Sequence, residues 1–354
     1  MLFNSGAGML ETSEKLQNNQ THLVTLPTDK YDELLREVTA QGLFERTYLH
    51  YCLNTAIGVV VMGISLYALT LTDSATWQIL NAIVFAFFSA QIGIICHDLS
   101  HGEVFKSAKV NDFAAMMLWG LLCGLSESRW YYKHNIHHRN PNHIGHDPDM
   151  EILFVFSNYQ AERRSALCKK WFFPNQHILF WIALSFVYPF NVASSMGYIL
   201  RNFTPRSIFE LELMVLHFIF LIGLPFYFLP IHVAALFIFT VFLVRGVYMG
   251  TIFAPNHKGE EMLDEEGVFN WTYQITFTRN IIPTWLNFYV LGGLVFQIEH
   301  HLFPSMSRLK CWQARQIVKQ FCREHNLRYH ETTWLGSMLE IHRSLRQEAL
   351  NWKN

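Results

Sequence analysis

The most regular feature of the sequence is a set of four apolar runs, each close to the length that crosses a lipid bilayer. A helix needs about 20 mostly apolar residues to span the hydrocarbon core. The runs cover residues 51–70, 77–96, 209–229 and 231–254. The links within the first pair and within the second pair are only a few residues long. Because short links join antiparallel neighbours, the pattern predicts two transmembrane helical hairpins.

The composition supports a membrane protein and excludes a nucleic-acid-binding one. Hydrophobic residues make up 51% of the chain and charged residues only 16%, whereas about a quarter of the residues in soluble proteins are charged. A net charge of -1 gives no electrostatic argument for nucleic-acid binding. The six cysteines are scattered without a C-x-x-C pair, so we expect them to be reduced and buried.

Histidine is unusually frequent, with 18 residues in the chain, and eight of these fall into four short stretches. Residues 97–101 read H-D-L-S-H and directly follow the second apolar run, and His257 follows the fourth. Residues 134–138 read H-N-I-H-H, and residues 297–301 read Q-I-E-H-H. Positions i, i+3 and i+4 share one face of a helix, so the imidazoles within each cluster can converge on one point.

The chemistry of these clusters points to metal binding. Eight histidines are enough ligands for two metal ions, although imidazole binds iron, zinc and copper and so does not select the metal. A single H-x-x-H-H stretch is more often ordinary polar surface than a ligand set. Three clusters that share this helical spacing, together with His257 beside a predicted span, favour metal binding.

Charge and parity together predict the topology. Lys and Arg residues lie before the first run, after the second and after the fourth, and neither short link carries one. The positive-inside rule then places both termini and the metal site on the cytoplasmic side. Residues 113–125 are too short to cross. Residues 178–200 are long enough, but a crossing there would place the clusters on opposite faces, so we expect this run to be interfacial or re-entrant.

These features predict the fold class: an all-α integral membrane protein with four transmembrane helices in two hairpins and a cytosolic helical cap that holds the metal site. The predicted divisions are a cytosolic N-terminal segment (1–46), a membrane domain (47–310) and cytosolic C-terminal helices (311–354). Within the apolar runs, Arg245 is a costly charge. We expect it to snorkel or to pack against a buried acid, although a lipid head group or a bound acyl ester is an alternative partner.

The clusters resemble the three histidine boxes of membrane fatty-acid desaturases, which read H-D-x-x-H, H-x-x-H-H and Q-x-x-H-H. The third box runs on as H-H-L-F-P over residues 300–304. This form is similar to the subgroup that includes front-end acyl desaturases and many bacterial acyl-lipid or acyl-CoA desaturases. Residues 140–149 also resemble the family's link after the second box, and the whole resemblance covers roughly residues 50–310. The H-P-G-G haem motif of the cytochrome b5 domain fused to familiar eukaryotic front-end enzymes does not occur here.

The resemblance implies two ferrous ions and O₂ as cofactors. The implied ligands are His97, His101, His134, His137, His138, His257, His300 and His301. Gln297 stands where other members have a ligand histidine, so either ligation or a water-mediated role is open to it, and Asn256 resembles an asparagine that holds a metal-bound water. Asp98, Glu299, Asp147 and Asp149 are candidates to accept the free N–H of ligand imidazoles, with helix capping or surface charge as the alternative.

The implied function is O₂-dependent desaturation of a fatty acyl chain carried on a lipid, CoA or a carrier protein. An unactivated methylene has no acidic proton, so a redox metal must carry the chemistry. The sequence contains no dinucleotide, haem or iron–sulfur motif. We therefore expect electrons from a ferredoxin, or from a separate cytochrome b5 or reductase.

Two other enzyme classes fit the histidine clusters. A membrane di-iron hydroxylase, ketolase or alkane monooxygenase would share the ligands, although the Q-x-x-H-H-L-F-P form favours the desaturase. A zinc-dependent membrane hydrolase would need neither O₂ nor an electron donor. A transporter with a histidine relay fits less well, because its polar residues should lie at mid-membrane.

Overall fold

The computed structural model describes residues 23–351, so the first 22 residues of the predicted segment 1–46 and the last three of segment 311–354 lie outside the described residues. Within this range the chain is almost entirely helical. The α-helices are α1 (Thr28–Ala40), α2 (Tyr48–Ala68), α3 (Ala75–Ser100), α4 (Ala108–Leu118), α5 (Glu127–Arg139), α6 (Asn158–Glu162), α7 (Gln176–Ala183), α8 (Val187–Arg201), α9 (Pro205–Phe218), α10 (Leu224–Phe228), α11 (Ile231–His257), α12 (Tyr273–Thr276), α13 (Trp285–Val290), α14 (Gln297–Leu302), α15 (Cys311–Glu324) and α16 (Trp334–Asn351).

Short π-helical and 3₁₀ turns join several of these helices into longer rods. The π turns are Trp119–Cys123, Cys168–Phe172 and Ile219–Gly223, and the 3₁₀ turns are Phe173–Asn175 and Leu184–Phe186. The two strands, β1 (Asn280–Ile281) and β2 (Glu331–Thr332), form a minimal parallel pair. This pair is a small departure from the predicted all-α fold.

Five helical segments among the described residues are long and apolar enough to cross a membrane. They are Tyr48–Ala68, Ala75–Ser100, Cys168–Arg201, Pro205–Phe228 and Ile231–His257. Four of them coincide with the predicted spans. The fifth contains the run 178–200, so by length and composition the chain offers one more candidate span than the four-span prediction uses.

The turn of the first hairpin is closed by a buried amide. The Nε2 of Gln78, in the first turn of α3, donates to the carbonyl oxygen of Ala68 at 3.1 Å and to that of Thr72 at 2.7 Å. One turn further along α3, Asn81 donates to the Ser65 carbonyl at 2.9 Å. These bonds satisfy main-chain groups at a hairpin end, where lipid offers no partner.

The segment Cys168–Arg201 differs from the other four because its helix is interrupted and one of its faces is exposed. A 3₁₀ turn separates α7 from α8. Large apolar residues are exposed at four-residue intervals: Ile178 (52%), Ile182 (57%), Phe186 (63%) and Phe190 (67%). Spacing of four places these side chains in a row along one helix face, while the opposite face packs against α11 and α16.

Helix α4 and its π turn end inside the apolar region, where three consecutive carbonyls need partners. His217 Nδ1 donates to Leu121 O at 2.9 Å, and Ser89 Oγ donates to Leu122 O at 2.9 Å. The hydroxyl of Tyr188 donates to Cys123 O at 3.0 Å. Lipid cannot satisfy the last carbonyls of a helix, so side chains from α3, α8 and α9 do so here.

Arg245 of α11 completes this arrangement. Its Nη2 donates to Leu122 O at 3.3 Å, to Cys123 O at 3.1 Å and to Ser89 Oγ, and its Nη1 donates to the Tyr188 hydroxyl at 2.7 Å. At 1% exposure Arg245 does not snorkel, and no carboxylate in the described part of the chain forms an ion pair with it. The expectation of snorkelling or of a buried acid was wrong: the cation instead lies at a helix C-terminus, where the helix dipole favours it.

Glycine is required where α4 turns into α5. Gly124 has φ +67°, and a Cβ there would lie 2.4 Å from His217 Cδ2. The reversal sends the chain back through Leu125 to Ser126, whose side chain caps α5. The hydrogen-bonded carbonyls of residues 121–123, with the turn at Gly124, therefore fix the start of α5, the helix that carries the second histidine cluster.

Residues between 275 and 327 pack with α1, and with Ile94 of α3 and Ile252 of α11, into one apolar core. Leu34 and Val38 of α1 lie in one cluster with Ile317, Val318 and Phe321 of α15. The α15 positions recur at i, i+1 and i+4, the spacing of one helix face. This core supports α14, which carries the third histidine cluster.

Candidate metal centre

The first cluster lies at the C-terminal end of α3, beyond its apolar stretch. His97 is in the last turn and His101 is the C-cap residue, with their ring centroids 4.7 Å apart. Gly102, at φ +72°, ends the helix immediately afterwards. Because α3 continues regularly through His97, both imidazoles lie on the same face.

The second cluster lies on α5, whose start is firmly held. Ser126 Oγ accepts a hydrogen bond from the Arg129 N–H at 3.1 Å, which makes it the N-cap. Its hydroxyl also donates to Glu210 of α9, and the Ser128 N–H donates to the other carboxylate oxygen of Glu210 at 3.2 Å. One buried carboxylate thus fixes the first turn of the helix that presents the second cluster.

The third cluster and His257 approach from the other half of the chain. His257 is the last residue of α11, and α14 presents His300 and His301. The two rings of α14 diverge, with an interplanar angle of 89°. Each of these two histidines therefore joins a different group.

The eight predicted histidines form two adjacent groups. The nitrogens of His97, His101, His134, His138 and His300 lie within 4.8 Å of one another, and those of His137, His257 and His301 form a second set by the same measure. The rings of His138 and His301 stack with centroids 4.2 Å apart, so the two groups share a border. The structure thus brings together, from four distant segments, every histidine that the sequence singles out.

The inner nitrogens face one another in a way that bare imidazoles do not favour. The Nε2–Nε2 distances are 2.9 Å for His134 and His138, 3.2 Å for His138 and His300, and 3.3 Å for His137 and His257. The Nε2 atoms of His97, His101 and His301 are buried without any hydrogen-bond partner among the described residues. Buried polar atoms without a partner are rare and costly, whereas a metal ion in each group gives these lone pairs a partner.

The protonation states also suit metal ligands. Burial lowers the pKa values of His101, His134, His138, His300 and His301 well below the ordinary histidine value, and neighbouring imidazoles add to the effect. These rings are therefore neutral, the form that binds metal. Burial also disfavours charge on His137, but the carboxylates of Asp147 and Asp149 outweigh it and raise the pKa of this histidine.

Several outer ring nitrogens are held by oxygen acceptors. His97 Nδ1 lies 2.9 Å from Asp98 Oδ1, and His137 Nδ1 lies 2.9 Å from Asp147 Oδ2. His301 Nδ1 lies 2.8 Å from Gln274 Oε1. Each contact makes Nδ1 the protonated nitrogen and leaves the Nε2 lone pair directed into a histidine group, an arrangement typical of metal-binding histidines.

Four other predicted site residues have different surroundings. Gln297 Nε2 lies 3.0 Å from His257 Nε2, and its Oε1 accepts from Asn256 Nδ2 at 3.0 Å, so both amides border the three-histidine group. Asp149 lies 3.6 Å from His137 Nδ1, but its main partner is Lys133. Glu299 does not contact an imidazole.

The Glu299 carboxylate points away from both histidine groups. It accepts from Asn280 Nδ2 and from the Tyr329 hydroxyl, both at 2.7 Å, and burial raises its pKa to about 7. On α14 it directly precedes His300, and neighbouring residues project from a helix about 100° apart. Glu299 is therefore corrected as a candidate to accept an imidazole N–H: its carboxylate instead joins α14 to Asn280 of β1 and to Tyr329.

Sequence reasoning missed several residues that hold the site. Gln274, on the short helix α12, has no local signal. Glu103 follows the first cluster by two positions, and its Oε1 lies 3.7 Å from His300 Nδ1. Tyr51 donates towards both Asp98 and Glu103 at 2.9 Å. Only the position of Glu103 next to H-D-x-x-H could have identified it in advance.

A cavity of about 240 Å³ opens beside the two groups. Its polar end is formed by His134, His137 and His257, and its walls include Phe180, Leu184 and Phe253 among other apolar side chains. Lys133 and Arg129 lie at its edge. The cavity joins a histidine-lined end to an apolar body, which suits a ligand that is mostly hydrocarbon.

The fatty acid desaturase family model matches residues 75–333, a range that contains all four histidine stretches. A Mus musculus protein named fatty acid desaturase 2-like protein FADS2B is 29% identical over 352 residues, covering 97% of this chain and 70% of the relative. An acyl-lipid (9-3)-desaturase of Physcomitrium patens is 25% identical over 346 residues, covering 91% and 64%. Fatty acid desaturase 3 of Homo sapiens is 30% identical over 278 residues, covering 77% and 62%. The chain thus spans about two thirds of the length of these curated relatives.

Proposed function

The chain belongs to the fatty acid desaturase family, and on that premise we propose that it is an O₂-dependent oxidoreductase that introduces a double bond into a fatty acyl chain. The observation that carries this proposal is the pair of histidine groups at the polar end of an apolar cavity. A relative of the same family in Caenorhabditis elegans is named a delta(5) fatty acid desaturase, and one in Euglena gracilis a delta(8)-fatty-acid desaturase.

We infer that two ferrous ions occupy the site, one in each histidine group. His97, His101, His134, His138 and His300 would hold one ion, and His137, His257 and His301 the other. The three-histidine group has fewer ligands, and Gln297 and Asn256 beside it are placed to bind the ion directly or through a water. Bound iron supplies the O₂-dependent oxidation that an unactivated methylene requires.

The residues of the chain determine where that oxidation acts. Asp98 and Asp147 keep His97 and His137 in the tautomer whose Nε2 faces inward. The apolar walls would hold the acyl chain extended past the histidines and exclude water from the reacting carbons. Because Leu184 and Phe180 line the cavity together with the histidines, they would limit the space that the acyl chain can occupy.

Parity supports four membrane crossings with the metal centre on one side. The histidines before residue 139 and those after residue 256 share one site, so an even number of crossings must separate them. The three candidate spans between these regions are Cys168–Arg201, Pro205–Phe228 and Ile231–His257. The last two form a hairpin, and the exposed apolar row of the first suits a helix lying in the interface. Because the basic residues lie outside the short links, we infer that both termini and the centre are on the cytoplasmic side.

We propose that reducing equivalents reach the centre from a ferredoxin or from a cytochrome b5 with its reductase. Four exposed basic residues lie on the segments that carry the first two clusters or on the chain that follows them: Lys106, Lys109, Arg139 and Lys170. An exposed basic surface suits an acidic donor, because electrostatic complementarity accelerates encounter. Acceleration at low salt that disappears when Lys169 and Lys170 are reversed in charge would support such docking, and a rate independent of salt would contradict it.

The proposed function is tested by expressing the chain in a host without the corresponding lipids, together with an electron donor. We expect new acyl double bonds, located by mass spectrometry, with the wild-type chain and none with His137→Ala. His232→Ala is the matched control, because His232 is exposed and lies outside both groups. An alcohol heavier by about one oxygen atom, or unchanged lipids despite an active donor, would contradict the desaturase assignment.

A further inference from the structure

Arg308 lies after the third histidine cluster in the sequence but contacts the first one in space. Its Nε donates to Oδ2 of Asp98, its Nη2 forms an ion pair with the same oxygen, and Nη2 also donates to the Ile94 carbonyl at 2.9 Å. The guanidinium lies 5.6 Å from the centre of the Tyr51 ring. Asp98 is 2% exposed and Arg308 is 8% exposed, so the pair is shielded from water.

The two oxygens of Asp98 have separate partners. Oδ1 lies 2.9 Å from His97 Nδ1, while Oδ2 accepts from Arg308 and from the Tyr51 hydroxyl, the latter at 2.9 Å. One oxygen therefore holds an imidazole of the five-histidine group, and the other is anchored. Rotation of the carboxylate would break the contacts on both sides at once.

The backbone makes room for this contact at one place. Gly292 and Gly293 both have positive φ, at +63° and +83°. A Cβ on Gly293 would lie 2.7 Å from Arg308 Cδ, and one on Gly292 would lie 2.4 Å from Ile94 Cδ1. The turn therefore presses the segment after α13 against α3 and directs Arg308 to Asp98.

A buried carboxylate needs such a cation. Without Arg308, Asp98 Oδ2 would keep only the Tyr51 hydroxyl as a partner among the described residues, and the carboxylate would turn towards water, because an unpaired buried charge is costly. A rotated Asp98 would no longer hold its Oδ1 against His97 Nδ1. His97 could then turn its Nε2 away from the five-histidine group.

We propose that Arg308 is a positioning residue of the metal centre, acting through Asp98 to hold His97 Nε2 towards the five-histidine group. The inference rests on the proposed function only in requiring that a metal ion binds there. Its effect should be confined to one of the two groups, because the three-histidine group has its own carboxylate, Asp147, on His137. Residues that orient a ligand histidine typically alter metal affinity about 10- to 100-fold.

The test measures retained metal rather than turnover. Full-length wild-type, Arg308→Gln and Arg308→Lys proteins are loaded anaerobically with Fe²⁺, dialysed against a graded chelator and analysed for iron per chain. We expect Arg308→Gln to lose one of its two ions at about 10- to 100-fold lower chelator concentration and to keep the other. Lysine retains the charge but not the two-pronged contact, so Arg308→Lys should be intermediate.

Arg315→Gln is the matched control, because Arg315 makes a similar paired contact with Glu331, at 2.7 and 2.6 Å, and the Glu331 carboxylate contacts Arg315 and Lys319 rather than a histidine of either group. It should retain both ions. Tyr51→Phe is a milder change that removes one hydrogen bond to Asp98, and should weaken the same ion by a smaller factor even if Arg308→Gln does not fold.

A merely structural role would give a different pattern. In that case Arg308→Gln and Tyr51→Phe would lower the unfolding temperature of the metal-free protein and weaken both ions equally. That pattern would overturn the inference, as would full retention of both ions by Arg308→Gln. Wild-type protein that retains no metal would overturn the proposed function itself.

Discussion

The hydrogen bonds that join Arg245 and Tyr188 to the helix-end carbonyls can be tested by removing a single oxygen atom. Tyr188→Phe keeps the ring of a fully buried side chain, at 0% exposure, and deletes only its hydroxyl. That hydroxyl accepts from Arg245 Nη1 at 2.7 Å and donates to Cys123 O at 3.0 Å. No cavity of consequence forms, so the change in stability reports these two hydrogen bonds.

The expected loss follows from comparing two scales. Hydrogen bonds to charged groups contribute about 1.5–3 kcal/mol in soluble proteins, whereas interhelical hydrogen bonds in a membrane average about 0.6 kcal/mol and reach about 1.7 kcal/mol. Both partners keep other contacts here: Cys123 O still accepts from Arg245 at 3.1 Å, and Arg245 Nη1 still reaches His217 Nε2 at 3.3 Å. Because one of the lost bonds is charge-assisted and fully buried, we expect a loss of about 1.5 kcal/mol.

The assay is reversible unfolding of the purified protein in mixed detergent micelles, where about 1.4 kcal/mol corresponds to a tenfold change in the unfolding equilibrium constant. Tyr227→Phe is the control, because Tyr227 is 81% exposed, and should leave stability unchanged. If Tyr188→Phe changes the free energy of unfolding no more than Tyr227→Phe does, the assignment of the arrangement as a stabilising helix end is wrong.

Three further predictions concern the cavity, the end of α11 and the start of α5. Gly250→Leu should reduce product yield about tenfold and leave the metal content unchanged, since overpacking typically costs about 1–3 kcal/mol. A Cβ at Gly250 would already lie 2.8 Å from Leu184 Cδ2 on the cavity wall. An unchanged product yield would contradict this prediction. Arg279→Gln should lower the free energy of unfolding by about 3 kcal/mol, because it removes a cation 3.0 Å from the buried Glu260 carboxylate and breaking a buried ion pair costs about 3–5 kcal/mol. We take the low end of that range because Glu260 keeps other partners. A loss of stability under about 1 kcal/mol would refute the reasoning. Burial raises the pKa of Glu127 from 4.5 to about 7. The folded state thus binds this proton more tightly than the unfolded chain does, so the stability gained from it is full below about pH 4.5 and is lost as the pH rises through about 7. Glu127→Gln should make the free energy of unfolding less dependent on pH over this range. The same pH profile in the wild-type and variant proteins would count against this prediction.

The parts of the fold that follow from local sequence could be predicted. Apolar length alone indicates all five candidate spans, including the run 178–200 that the parity argument sets aside, and periodicity alone places the histidines of each cluster on one helix face. The same periodicity identifies the buried face of α15. These are properties of ten to twenty consecutive residues, and no distant partner is needed to recognise them.

The features that could not be predicted depend on partners far apart in the sequence. His300 and His301 are neighbours on α14, yet their rings diverge by 89° and join different groups, each with histidines from distant segments. Arg308 and Asp98 are 210 positions apart. Nothing near either residue indicates the other.

Arg245 shows how a correct observation can lead to a wrong partner. A charge inside an apolar run is costly, and snorkelling or a buried acid is the compensation that the sequence leads us to expect. The structure supplies helix-end carbonyls instead, and these carbonyls lack partners only because α4 stops inside the apolar region. The short length of α4 can be read from the sequence, but the direction in which its last carbonyls point cannot.

The central claim, that eight histidines from four segments hold two metal ions, is tested most directly by metal analysis of the protein purified from iron-supplemented cells under anaerobic conditions. The account predicts two iron ions per chain, falling to about one in His257→Ala, which removes a ligand from the three-histidine group only. A single zinc ion per chain, or iron content unchanged by His257→Ala, would contradict it.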